Sequence, residues 1–217
     1  MRFVITRPNA ASRQVRSGFP DLSHPYASTA PELVPNPDDE KWWLRDDARK
    51  YLAGTCACRS CRLICGFEIQ AWAFVPRANI FFLPGKGDIS GEQRSTATGT
   101  KTTATASTQE EQIKVPLDFT HVHAAGVLQG YESSAGVERE FCPRCGATVF
   151  WHDKWRPELI DVSVGLLRAG TGARAEDWLD WWTGRVSFAE DAPLGRRDGP
   201  AGWAVELVEA LETGMKR

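Results

Sequence analysis

The chain has 217 residues, a formal net charge of −2, and 42% hydrophobic against 25% charged residues. This length is sufficient for one well-cored domain, and the composition is ordinary for a globular protein. The slightly acidic balance, without a long basic block, argues against nucleic acid as a partner. No apolar run is long enough to span a membrane, and MRFVITRPNAASRQ lacks the apolar stretch of a signal peptide. We therefore expect a cytoplasmic protein whose thiols stay reduced.

The N-terminal quarter of the chain contains three segments with different sequence patterns. Residues 2–8 alternate and include β-branched residues, which predicts a strand. Five prolines in residues 9–37 exclude long regular structure there. Residues 36–54, NPDDEKWWLRDDARKYLAG, predict a helix, because acidic residues crowd its start and a glycine stands at its end.

The remainder of the chain is mostly β-like until its last forty residues. The segments that predict strands are FEIQAWAFVP (67–76), NIFFLPG (79–85), GATVFWHD (146–153) and ELIDVSVGLL (158–167). Residues 86–112 are rich in Gly, Ser and Thr, and we interpret them as a mobile or edge excursion. The spacing of the apolar residues then changes to a helical period, and it predicts helices over residues 173–185 and 199–214.

A group of three cysteines has the spacing of a metal site. Cys56, Cys58 and Cys61 form C-x-C-x-x-C, so their thiolates can converge on one ion from a single short segment. Zinc favours tetrahedral sulfur sites, and three protein ligands leave one position for water or substrate. Arg59 and Arg62 in the same segment either offset the negative charge, bind an anionic substrate, or are simply solvated. The triplet is compatible with a catalytic zinc site, and the alternative is that a distant residue fills the fourth position. We predict a catalytic zinc centre on the three cysteines, with Arg62 as a further catalytic residue.

A second cysteine pair lies in the C-terminal half. Cys142 and Cys145 form C-x-x-C followed by Gly146, a spacing typical of a zinc knuckle in which backbone amides donate to the thiolates. A redox pair is the alternative, but a strand rather than a helix is predicted to follow, which favours zinc. The remaining cysteine, Cys65, is interpreted as a small buried hydrophobic residue.

These two cysteine segments resemble a known family. CACRSCRLICGFEIQAWAFVP and YESSAGVEREFCPRCGATVFW are similar to the two cysteine segments of the glutathione-dependent formaldehyde-activating enzymes (GFA), a family that includes the CENP-V proteins. The resemblance spans about residues 51–190 and implies a mainly β, antiparallel β-tent fold with a few peripheral helices. It places one zinc on Cys56, Cys58 and Cys61, and a structural zinc partly on Cys142 and Cys145.

The chain departs from the family pattern at its start. Family members carry an N-terminal C-x-C that completes the structural zinc site, whereas no cysteine precedes Cys56 here. We expect either a shortened N-terminus or a lost structural zinc. The candidate substitute ligands are His24, His121, His123 and His152. Residues 9–50 are interpreted as an insertion that acts as a lid or caps a sheet, within a domain over residues 1–190, and residues 191–217 as a helical tail packed on that domain.

The resemblance implies carbon–sulfur lyase chemistry, the condensation of formaldehyde with glutathione. The expected cofactor is Zn²⁺ and the expected partner is a small molecule, such as a glutathione adduct. One alternative is a zinc-dependent lyase or hydrolase acting on another metabolite, and another is a non-catalytic zinc module that binds a macromolecule. Asp153, Glu140 and His152 lie near the second cysteine pair, but their pattern does not identify a general acid or base.

Overall fold

The computed structural model describes residues 2–25, 33–84 and 113–216, and the predicted excursion at 86–112 lies outside these ranges. The strands are β1 (Phe3–Ile5), β2 (Leu44–Arg45), β3 (Lys50–Cys56), β4 (Gln70–Pro76), β5 (Ile80–Phe82), β6 (Val115–Pro116), β7 (Gln129–Ser134), β8 (Val137–Phe141), β9 (Thr148–Asp153), β10 (Leu159–Ser163) and β11 (Leu179–Trp181). The α-helices are α1 (Arg59–Cys65), α2 (Phe119–Ala124) and α3 (Asp198–Met215).

The strands form two sheets. The larger has the order β11-β3-β4-β10-β9-β8-β7, with β2 also paired to β3, and the smaller has the order β1-β5-β6. Every pairing is antiparallel except the parallel contact between β11 and β3. The predicted class, mainly β with antiparallel sheets and few helices, is confirmed.

The main core lies between the two sheets. Phe3 and Phe82 of the small sheet pack in one buried cluster with Phe150 and Ile160 of the large sheet. The Phe3 and Phe150 rings meet edge to face with centroids 5.1 Å apart, a favoured aromatic geometry. The opposite face of the large sheet is therefore left for other elements to cover.

The helix predicted over residues 36–54 is wrong, because this segment forms β2, a turn and β3. The turn carries three consecutive residues with positive φ, from Asp46 to Ala48, which an α-helix excludes. Trp43 and Leu52 are fully buried, and β3 is buried along almost its whole length. A strand inside a sheet buries both faces of this segment, whereas a surface helix buries only one.

The helix predicted over residues 173–185 is also wrong. Its centre forms β11, in which Leu179 pairs with Tyr51 in parallel register. The backbone of Trp182 continues the pairing by donating to the carbonyl of Ala53 at 2.7 Å. The edge of β3 has backbone N–H and C=O groups that need hydrogen-bond partners. Pairing with them stabilises a strand here, although the local sequence pattern favours a helix. The helix predicted at residues 199–214 is confirmed as α3.

Described residues of the segment 9–50 cover the outer face of the large sheet. Leu22, Trp42 and Trp43 pack there against Leu52 and Phe74. A Cβ placed on Gly54 would lie only 2.5 Å from Leu22, so this close approach requires glycine. The interpretation of residues 9–50 as an insertion stays a prediction. Within the described ranges, no helix combines the length and apolarity needed to cross a membrane.

Candidate metal centre

The three-cysteine segment runs from the end of a strand into the first turn of a helix. Cys56 is the last residue of β3, and Ala57 donates its backbone N–H to Ser187 at 2.9 Å. Cys58 caps α1, and its Sγ accepts the backbone N–H of Cys61 at 3.3 Å. A strand end on one side and a helix cap on the other thus turn all three side chains toward one point.

The sulfur atoms of Cys56, Cys58 and Cys61 all lie within 4.8 Å of one another. A tetrahedral zinc with Zn–S bonds of about 2.3 Å places its sulfur ligands about 3.8 Å apart, so small side-chain adjustments suffice for coordination. All three cysteines are free thiols. Cys56 and Cys61 are buried, whereas Cys58 is half-buried and gives the group its accessible side. This donor set fits zinc and leaves one coordination position without a cysteine.

The cluster concentrates negative charge on one sulfur. Hydrogen bonds from Cys56 and Cys61 lower the pKa of Cys58 to about 2, against the opposing effect of burial. The hydrogen bonds to Cys58 and Cys61, together with burial, raise the pKa of Cys56 well above its usual value. A metal ion that binds all three sulfurs must therefore displace protons.

Aromatic side chains surround the three sulfurs. Trp72 packs against Cys56 and Cys61, and Trp151 and Phe188 complete the cluster. Rings of this size exclude water from the sulfurs that they cover, which lowers the local dielectric and strengthens charge interactions there. Of the three cysteines, Cys58 is the most exposed.

The segment that carries Phe188 is anchored by the proline-rich region. Asp21 is buried, and its Oδ2 accepts hydrogen bonds from Ser187 Oγ and from the Phe188 backbone N–H, both at 2.8 Å. Arg185 lies 3.4 Å from the same oxygen. Phe188 itself has a positive φ of 52°, a conformation that such surrounding contacts must maintain. Asp21 thus supports one wall of the centre.

Arg139 is a functional candidate that sequence reasoning missed. Its guanidinium Nη1 lies 3.7 Å from Cys61 Sγ, and its side chain is buried on β8. The arginine stands in the segment YESSAGVEREFC, so its presence there was a usable signal. Its contact with Cys61 was not predictable from spacing, because 78 residues separate the two.

The two arginines named from sequence lie in different surroundings. Arg62 donates from Nη2 to the carbonyl of Leu194 at 2.9 Å, and its Nη1 is 3.8 Å from Glu68. Arg59 is exposed, and its backbone N–H donates to Asp191 at 3.2 Å. Arg62 therefore ties α1 to the segment before α3, and its catalytic role stays a prediction.

Cys65 does not join the metal group. It is half-buried rather than buried, and its thiol donates to the carbonyl of Phe67 at 3.1 Å. Among the residues that the structure describes, the group of three or more convergent metal-binding side chains consists of Cys56, Cys58 and Cys61. The fourth position is therefore not filled by Cys65 or a histidine within those ranges.

The second cysteine pair forms a tight turn after β8. Gly146 has φ +74° and donates its N–H to the carbonyl of Cys142 at 2.8 Å. The backbone N–H groups of Arg144 and Cys145 lower the pKa of Cys142, as expected in a zinc knuckle. Cys145 is exposed, and no third metal-binding side chain of the described residues converges on the pair. The metal role of Cys142 and Cys145 stays a prediction.

The histidines proposed as substitute ligands contact other groups. His123 and His152 both approach the buried Glu140, with Nε2–Oε distances of 2.6 and 3.1 Å. Burial works to raise the pKa of Glu140, but the hydrogen bonds and charge interactions with the two rings outweigh it and lower that pKa. The remaining two make ring contacts, His24 with Phe19 and His121 with Phe82.

Asp153 serves the fold rather than a site. Its carboxylate caps the following turn by accepting the backbone N–H groups of Trp155 and Arg156, at 2.9 and 2.7 Å. The Arg156 guanidinium pairs with it and with Asp161. Asp153 therefore stabilises the link between β9 and β10.

Comparison with known proteins gives a family match for the part of the chain that contains Arg139 and the second cysteine pair. Residues 93–185, which include the second cysteine pair and Arg139 but not the three-cysteine segment, match the family model of the glutathione-dependent formaldehyde-activating enzyme. None of the curated proteins compared with the chain matched it. The resemblance inferred from the cysteine segments is therefore confirmed over residues 93–185, where the chain matches the glutathione-dependent formaldehyde-activating enzyme family.

Proposed function

We propose that this protein is a zinc-dependent enzyme of the formaldehyde-activating type, which joins a small thiol to a small aldehyde. This is the reverse of the carbon–sulfur bond cleavage that gives carbon–sulfur lyases their name. The observation that carries the proposal is the convergence of Cys56, Cys58 and Cys61 within 4.8 Å, without a fourth protein ligand from the described residues. A structural zinc site normally has four protein ligands, whereas a catalytic one leaves a position for substrate.

The reaction is balanced without a further reagent. The thiol sulfur forms a bond to the aldehyde carbon, the carbonyl π bond breaks, and the thiol proton ends on the oxygen. Bound zinc supplies Lewis-acid polarisation of a carbonyl or stabilisation of a thiolate. The three cysteines would hold the metal, and Trp72, Trp151 and Phe188 would restrict water around it.

The family description supports glutathione and formaldehyde as the first substrates to test. Purified protein is loaded with zinc, and S-hydroxymethylglutathione formation is followed by NMR. Wild-type protein is expected to bind zinc at the three-cysteine site and to accelerate the reaction. The Cys58→Ser variant is expected to lose turnover while keeping its circular dichroism spectrum, because Cys58 lies at the accessible side of the site.

Three outcomes would change the proposal. Full activity in Cys58→Ser protein would contradict the assignment of the site. A tightly bound zinc that accepts neither thiol nor aldehyde would favour the non-catalytic zinc module. Activity with other thiols or aldehydes, but not with glutathione and formaldehyde, would retain the site and change the substrate.

A further inference from the structure

We propose that Arg139 is a positioning residue that balances the charge of the three-cysteine centre and thereby makes it selective for a substrate that binds as a thiolate rather than as a neutral ligand. This inference rests on the proposed function and names the substrate class of the same site. Arg139 is not assigned a direct contact with substrate.

The first support is the contact itself. Arg139 Nη1 lies 3.7 Å from Cys61 Sγ, within reach of an N–H···S hydrogen bond. The other side of the guanidinium is fixed, because Nε donates to Ser133 Oγ at 3.1 Å. The side chain is only 4% exposed, so the residues around it and these two contacts restrict its orientation. A cation held this way acts on the sulfurs without competition from water.

The second support is the charge of the loaded site. Three thiolates around one Zn²⁺ carry a net charge of −1, and a fourth anionic ligand raises this to −2. Uncompensated charge is costly in a buried site. The guanidinium contributes +1 next to Cys61, so the loaded site with Arg139 is neutral and a bound thiolate brings it to −1 instead of −2. A neutral ligand gains much less from the same cation.

The third support comes from the neighbouring arginines, whose charges face other partners. Arg62 contacts Glu68 and backbone carbonyls, and Arg59 is exposed. Arg156 is as buried as Arg139, at 4% exposure, but it pairs with two carboxylates, Asp153 and Asp161. The Arg156 guanidinium also lies over the ring of Trp151, 4.7 Å from its centroid, and Trp151 packs against the three-cysteine cluster. Arg156 therefore provides a matched control: a buried arginine next to a residue of the cluster, with its charge already paired.

The experiment measures ligand preference rather than turnover. Wild-type, Arg139→Gln, Arg139→Lys and Arg156→Gln proteins are loaded with Co²⁺, and their visible spectra are titrated with 2-mercaptoethanol and, separately, with imidazole. We expect Arg139→Gln to weaken thiol binding about 10–100-fold relative to imidazole, the loss typical when a partner of a metal ligand is removed. Arg139→Lys should retain most of the preference, and Arg156→Gln should retain all of it.

The outcomes separate this inference from the proposed function. If wild-type protein binds Co²⁺ through thiolates but takes neither ligand, the open site and the proposed function both fail. If it takes both ligands, and Arg139→Gln weakens them equally or not at all, only the role of Arg139 is overturned. Should Arg139→Gln not fold, Ser133→Ala replaces it. That variant frees Nε and should lower the thiol preference by a smaller factor, and an unchanged preference would overturn the inference.

Discussion

The two cysteine sites of this protein differ in what holds them together. The turn at Cys142–Cys145 is local, since its hydrogen bonds join residues within five positions of one another. The three-cysteine centre depends on distant chain segments: Arg139 contacts Cys61, and Asp21 fixes the segment that presents Phe188. The comparison indicates that a local motif forms a thiol pair, whereas a buried centre needs the tertiary structure around it.

The largest expected effect separates the two sites by metal affinity. Cys61→Ser removes one of three convergent ligands, so zinc affinity should fall by more than the roughly 10–100-fold that follows loss of a ligand's hydrogen-bond partner. Cys145→Ser should leave this affinity unchanged, because its side chain is exposed and outside the convergent group. Competition with a chromophoric chelator measures both. Equal losses in the two variants would contradict the distinction.

The contribution of the proline-rich region to the centre is tested at Asp21. Asp21→Ala leaves Arg185 and two donors, Ser187 Oγ and the Phe188 N–H, without this buried carboxylate. We expect the free energy of unfolding to fall by about 2–4 kcal/mol. Urea denaturation measures the loss, and Asp38→Ala, an exposed acid in the same region, is the control. A loss no greater than that of the control would show that Asp21 does not hold the wall at Phe188.

The third prediction concerns the pH dependence of folding stability that is due to Asp161, a residue of β10 in the large sheet. Burial raises the pKa of Asp161 to about 6, although the charge of Arg156 opposes the shift. Between its unfolded pKa and about pH 6 the folded state keeps a proton that the unfolded state releases. Stability attributable to this group should therefore fall as pH rises through this window, by on the order of 3 kcal/mol.

The test compares wild-type protein with Asp161→Asn by urea denaturation at several pH values. The wild-type protein should lose stability relative to the variant between about pH 4 and pH 6 and then remain level. Asp180→Asn, at a half-exposed ion pair with Arg45, serves as the control. A relative gain in wild-type stability with rising pH would mean that pairing with Arg156 outweighs burial.

The smallest effect is expected at Arg62, and it bears on the catalytic role predicted from sequence. Arg62→Gln breaks its contacts with the Leu194 carbonyl and Glu68, and should cost about 1–2 kcal/mol of unfolding free energy. Zinc stoichiometry should not change. The exposed Arg59 on the same helix provides the control variant Arg59→Gln, expected within about 0.5 kcal/mol of wild type. Lost turnover at unchanged stability would instead support the catalytic role.

The wrong helix predictions share one cause. Residues 36–54 and 173–185 carry caps, acids and periodic aromatic residues, which are local signals for a helix. In the structure they become β3 with its neighbour β2, and β11, because β3 lies inside the large sheet and β11 pairs with its edge. A backbone group buried in a sheet must find a partner, and that requirement exceeds the small intrinsic preference for a helix.

The sequence by itself determined the mainly β class, the strands that follow each cysteine segment, and the cysteine spacing of the centre. These properties depend on alternation and short-range geometry, which a single segment contains. The tertiary structure alone decided that Arg139 contacts Cys61, that Asp21 anchors the wall at Phe188, and that Arg62 contacts Leu194. Each of those contacts joins residues more than seventy positions apart in the sequence. These side chains become buried and meet their charged or polar partners only once the sheets have packed together.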